Sequence, residues 1–174
     1  HTIGRRQRQM CIRDRLYSQI DKVRSPNSII SSNTSTIPLS ILTQEMSDSM
    51  KADFCITHFF NPVRFMRLLE IVETPTMNKD KMGGLRDFCK NELGKGIVNC
   101  NDTPGFIGNR IGVYAMQVAM YEALERGLPV EIADALFGRP LGIPKTGVFG
   151  LYDLIGIDLM KDVLASFKKE LQED

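Results

Sequence analysis

Apolar and polar positions change their period once along this chain, near residue 102. Before that point short apolar runs are separated by turn residues. Ser28 to Asn33 is a brief β-prone run, introduced by Ser25-Pro26-Asn27. From Leu39 to about Ser49 the spacing puts Leu39, Leu42 and Met46 on one face and predicts a short helix. Asp53 to Phe60 is apolar at nearly every position, as expected of a strand covered on both faces. Strand, helix and strand within about 33 residues predict a βαβ unit with parallel strands and a right-handed crossover.

Leu68 to Glu73 reads as a third strand, closed by Thr74-Pro75. A helix is predicted from about Lys79, capped by Asn78, with Met82, Leu85, Cys89 and Leu93 inward and Gly94 as its stop. Gly96 to Asn101 is the last predicted strand. Beyond it the period is helical to the end. Asp102-Thr103-Pro104 predicts the start of the longest helix and Gly127 its end. Further helices are expected over Val130–Phe137 and Phe149–Ile155, then from Asp158 with Leu159, Val163 and Phe167 inward. The fold class is therefore α/β followed by all-α, with domains over 16–102 and 103–174.

Composition adds little until the first fifteen residues are set apart. The 174 residues are 43% hydrophobic and 25% charged, with a formal net charge of +1. No apolar stretch reaches the length of a membrane span. Four cysteines without a Cys-x-x-Cys pair read as reduced cytoplasmic thiols, and neither a disulfide framework nor a zinc site is expected. Residues 1–15 hold five arginines and one acid, which could suggest a nucleic-acid arm or a transit peptide. Met10-Cys11-Ile12-Arg13-Asp14-Arg15 instead matches the translation of a sequencing-library adapter, so this stretch is expected to be non-native, disordered and dispensable. Without it 17 basic residues face 20 acidic ones, and the basic residues downstream are interleaved with acids, so nucleic acid is not an expected partner.

Apart from His1, His58 is the only imidazole in the chain, and imidazole is the side chain suited to proton transfer near neutral pH. Ligands of open α/β sheets bind beyond the carboxyl ends of the strands. Ser35 lies just past the first strand and His58 near the end of the second, so the crossover brings hydroxyl and imidazole to one rim. Glu70, twelve residues on, can orient the imidazole and support its protonated form. Asn109, expected in the second turn of the long helix, can bring an amide to the same cleft. Each residue also has a structural reading as a turn, strand-end or packing residue; the set together favours chemistry.

Asn33-Thr34-Ser35, His58-Phe59-Phe60-Asn61-Pro62, Glu70 and Asp102-Thr103-Pro104-Gly105-Phe106-Ile107-Gly108-Asn109-Arg110 closely resemble the signature of the L-3-hydroxyacyl-CoA dehydrogenase family. Arg139-Pro140 through Asp158, with Pro144-Lys145-Thr146-Gly147, is similar to the multifunctional bacterial β-oxidation enzymes that also carry a hydratase module. The resemblance implies that His58 takes the proton of the substrate 3-hydroxyl while hydride leaves C3 for NAD. It makes Glu70 the partner of His58, puts Ser35 and Asn109 on the reacting oxygen, and turns Asn33, Ser35 and Asn61 toward the cofactor. It implies an acyl-CoA substrate, no metal, and a homodimer or multifunctional complex in the cytoplasm. The sequence lacks the G-x-G-x-x-G turn and the acidic ribose ligand of the family. It thus reads as the C-terminal part of a Rossmann-type NAD-binding domain plus an incomplete helical domain. On its own it is expected to be inactive, to bind NAD weakly and to expose an apolar sheet edge. Two other readings are a dehydrogenase of a short hydroxy acid and a non-catalytic relative; the full His–Glu–Asn pattern argues against both.

Overall fold

Four strands form the frame of the first unit in the computed structural model, which describes residues 2–35, 37–142 and 145–170. They are β1 (Ile30–Ser32), β2 (Phe54–Phe59), β3 (Leu68–Glu73) and β4 (Gly96–Asn99), in the spatial order β1-β2-β3-β4. β1 runs parallel to β2, as the βαβ reading requires, and β4 runs parallel to β3. β2 and β3 are antiparallel, because Pro62 turns the chain straight back after β2. The sheet is therefore mixed, with the predicted parallel pair on one side of the antiparallel β2–β3 ladder.

Alternation along the two central strands separates two cores. Phe54, Ile56 and Val72 pack on one face with Leu39, Leu42, Met50, Tyr17 and Phe106. Cys55, Leu69 and Ile71 pack on the other with Met77, Met82 and Cys89. The helix expected from Leu39 to Ser49 is broken into α2 (Leu39–Leu42) and α3 (Asp48–Lys51). Ser47 caps α3 by accepting from Met50 N, a side-chain competition that starts a new helix instead of extending the old one.

α4 (Lys79–Asp87) starts where expected, with Asn78 Oδ1 accepting from the Asp80 and Lys81 amides. It continues as a π-helical turn over Phe88–Glu92. That wider turn carries Leu93 off the buried stripe to 44% exposure, while Met82 and Cys89 remain inside.

In the basic N-terminal stretch the structure has α1 (Thr2–Val23), one continuous helix. Tyr17 anchors its second half in the core, and helix propagation from an anchored turn costs little. Arg13 Nη1 donates to Ser32 Oγ at 3.0 Å. His1 and Pro144 lie outside the described residues.

The chain divides into two compact units, residues 1–106 and 107–174. The second is all-helical, as the period predicts: α5 (Gly108–Glu125), α6 (Val130–Leu136), α7 (Phe149–Ile155) and α8 (Ile157–Glu170), with a 3-10 turn at Arg139–Leu141. Its core is Val113, Tyr152 and Met160, flanked by Val163 and Phe167. Met160 takes the inward place expected of Leu159, which is 51% exposed: Met160, Val163, Leu164 and Phe167 follow the three-and-four spacing of one helical face. Asp134 accepts from the Phe149 and Gly150 amides at 2.7 and 2.9 Å and so caps α7. A Cβ at Gly147, where φ is +66°, would lie 2.5 Å from Asp134, so the backbone there needs glycine. Among the described residues no helix is long and apolar enough to cross a membrane.

Candidate active site

Strand register builds the centre of the site. In the antiparallel ladder His58 stands directly opposite Glu70, and side chains of opposed residues project from the same face. That face is the one bearing Phe54, Ile56 and Val72. His58 Nδ1 lies 2.7 Å from Glu70 Oε2, with Glu70 fully buried and His58 7% exposed. A carboxylate only accepts, so Nδ1 carries the hydrogen and donates it. This places the lone pair of the neutral ring on Nε2, the atom left to take a proton from a ligand.

Two aromatic rings fix the imidazole plane. Phe60 lies 4.5 Å and Phe106 5.8 Å from it, centroid to centroid, both tilted. Phe106 is buried although its φ is +47°, a left-handed conformation unusual for a side chain of this size. The preceding Gly105, at φ +74°, shares that turn. In the sequence Phe106 stands within a motif, and no local pattern announces its packing against His58.

The same left-handed turn relocates the helix start. Thr103 to Ile107 form turns and α5 begins at Gly108, which puts Asn109 in the first helical turn and not the second. Asp102 does not cap α5. Its carboxylate accepts from Leu39 N at 2.5 Å and Ser40 N at 2.9 Å, closing the N-terminus of α2. The loop between β1 and α2, which holds Asn33 and Ser35, is thereby pinned at its far end. Thr34 Oγ1, accepting from Ile37 N, pins its middle.

The remaining expected residues take distinct places. Asn33 is exposed just past β1, and its Oδ1 accepts from Phe59 N at 2.8 Å. This bond ties the end of β1 to the strand that bears His58 and leaves the amide N–H groups of Asn33 for a ligand. Ser35 is half-buried in the loop beyond. Asn61 is exposed three residues after His58, at the start of the hairpin loop, in a cis peptide with Pro62. Asn109 is half-buried and belongs to the second unit. The structure thus pairs His58 with Glu70 and gathers Asn33 against the same strand end.

Two profiles of one family match the chain. That described as the 3-hydroxyacyl-CoA dehydrogenase NAD binding domain covers residues 8–103, and that described as the C-terminal domain covers residues 105–174. A fatty acid oxidation complex trifunctional enzyme named in Rickettsia prowazekii is 43% identical over 155 residues, 89% of this chain and 22% of that protein. A protein of Bacillus subtilis named as a 3-hydroxyacyl-CoA dehydrogenase is 39% identical over 152 residues, 87% of this chain and 19% of that one. The crystal structure of Mycobacterium tuberculosis FadB2 superimposes with a TM-score of 0.80 at 27% identity, over 94% of this chain and 57% of that one. The chain belongs to the 3-hydroxyacyl-CoA dehydrogenase family. It spans about a fifth of the length of these two curated relatives.

NAD is the cofactor of the family's first domain. The residues present suit its nicotinamide end: uncharged amides and a hydroxyl (Asn33, Ser35, Asn61) stand at or beyond the carboxyl ends of β1 and β2, where such ligands bind. The glycine-rich turn that would receive a pyrophosphate has no counterpart in this sequence.

Proposed function

We propose that the protein to which this segment contributes oxidises the 3-hydroxyl of an L-3-hydroxyacyl-CoA to the 3-oxo compound, with His58 as the general base. The observation that carries this reading is the buried His58–Glu70 pair at 2.7 Å, built into one antiparallel ladder. His58 Nε2 takes the hydroxyl proton. Glu70 holds the ring in the tautomer that leaves Nε2 free to accept, and its charge favours the imidazolium that results. NAD, when bound, supplies the acceptor for the hydride that leaves C3. Ser35 and Asn109 hydrogen-bond the reacting oxygen, and Asn33 and Asn61 line the nicotinamide side. The exposed or half-buried placement of Asn33, Ser35 and Asn61 near the His58 end of β2 supports these roles.

The relatives' names support acyl-CoA as the substrate and action within a multifunctional complex. The buried thiols of Cys55 and Cys89 fit a cytoplasmic setting. The test is turnover of acetoacetyl-CoA by a protein carrying this segment behind a complete dinucleotide-binding domain. His58→Gln is expected to lower kcat by on the order of 10²–10⁴, with acyl-CoA binding little changed. An unaltered kcat would remove His58 from the reaction.

A further inference from the structure

A lysine ammonium is rarely withdrawn from water without a carboxylate beside it. Lys95 is only 8% exposed, and among the described residues no carboxylate pairs with it. Its Nζ donates instead to two main-chain carbonyls, Val63 O and Met66 O, at 2.5 and 2.8 Å. It also lies 5.8 Å from the centre of the Phe59 ring, within the range of a cation–π attraction. Two carbonyl dipoles and one ring face thus replace the lost hydration.

All three partners belong to one feature. Val63 and Met66 sit in the loop that joins β2 to β3, and Phe59 is the last residue of β2, next to His58. The loop already folds on itself, since the Phe65 and Met66 amides both donate to Pro62 O at 2.9 and 3.0 Å. Lys95 reaches it from the residue before β4, where Gly96 N donates to Arg67 O at 2.8 Å and Lys95 N to Cys89 O at 2.9 Å. The ammonium therefore fastens the loop bearing Asn61 to the rigid start of a neighbouring strand.

We propose that Lys95 is a positioning residue: its ammonium clamps the β2–β3 loop and the Phe59 end of β2, and so holds Asn61 and the His58 ring in the arrangement that reacts. The proposal rests on the function argued above for its catalytic consequence, but the clamp itself can be tested without turnover. In Lys95→Met the stem remains and all donors are lost. Native-state hydrogen exchange at the Phe65 and Met66 amides is expected to quicken on the order of 10-fold or more, while exchange at β2 and β3 amides such as Ile56 and Ile71 holds steady. In the complete dehydrogenase the same variant is expected to lose on the order of 10-fold in kcat, with KM for the acyl-CoA little changed. Lys95→Arg keeps a cation with donors and is expected to restore much of both; it also supplies the reading should Lys95→Met fail to fold. Unchanged exchange at Phe65 and Met66 in folded Lys95→Met overturns the clamp. Faster exchange with unaltered kcat overturns the positioning role, and so does Lys95→Arg behaving like Lys95→Met. If His58→Gln leaves kcat untouched, the functional reading fails, and the exchange arm still decides whether the loop is clamped.

Discussion

Burying a carboxylate costs several kcal/mol unless charge-assisted hydrogen bonds offset the lost hydration. Glu70 has no exposed surface, and the bond from His58 Nδ1 is one of its compensations. Glu70→Gln preserves the shape and can still present an oxygen to Nδ1–H, so the fold should survive while support for the imidazolium is lost. We expect kcat to fall on the order of 10²-fold with an unchanged circular-dichroism spectrum and little change in KM. A Gln variant with full turnover would reduce Glu70 to a packing residue. The pairing was open to inference from the sequence because a histidine and a glutamate twelve apart straddle a proline turn. Phe106 was not, since its contact with His58 depends on a left-handed backbone that no local pattern announces.

Where an element's boundaries are set by its own residues, the pattern located them closely. β3 was expected over Leu68–Glu73 and α7 over Phe149–Ile155, and both occupy those residues. Asn78 stands before a helical run, as a cap should, and its side chain caps α4. Long-range partners defeat this kind of reading. Asp102 precedes a proline, as a helix cap should, yet its carboxylate is spent on α2, 63 residues away in sequence. Asp102→Ala is accordingly expected to destabilise the first unit by about 0.5–2 kcal/mol, the range for a lost cap. It should also loosen the loop carrying Asn33 and Ser35. Thermal unfolding of the variant against the parent checks the first effect, and exchange at the Leu39 and Ser40 amides the second. If those amides stay protected, the capping role is wrong.

The first unit is also tied together by charge. Asp53, at the entry to β2, accepts from Arg24 behind α1 and from Lys81 in α4, at 2.7 and 2.6 Å. Arg24 in turn binds Asp21 at 2.7 Å. Burial raises the Asp53 carboxyl, but hydrogen bonds from Lys81 and Arg24 outweigh it and hold the group below the ordinary carboxylate range. Asp21 is lowered by Arg24 and Ser47. For Glu73, burial raises the group, and bonds from Arg86 and Lys79 reverse that. Depressed folded-state values give stability that is present above the unfolded-state pKa of about 4 and is lost as pH falls through the folded values. The melting temperature of this chain should therefore fall steeply below about pH 4. Asp53→Asn should be less stable than the parent at pH 7 and should approach it in acid; a constant gap across that range would show that the cluster contributes nothing through titration.

His58 and Glu70 lie on opposite strands of a single hairpin, so one contiguous stretch of some twenty residues, Phe54–Glu73, encodes both the base and the group that orients it. The pair can be inherited, exchanged or grafted as one block of gene. The strand register that sets His58 opposite Glu70 travels with that block, whereas the ring contact from Phe106 and the Lys95 clamp must come from outside it.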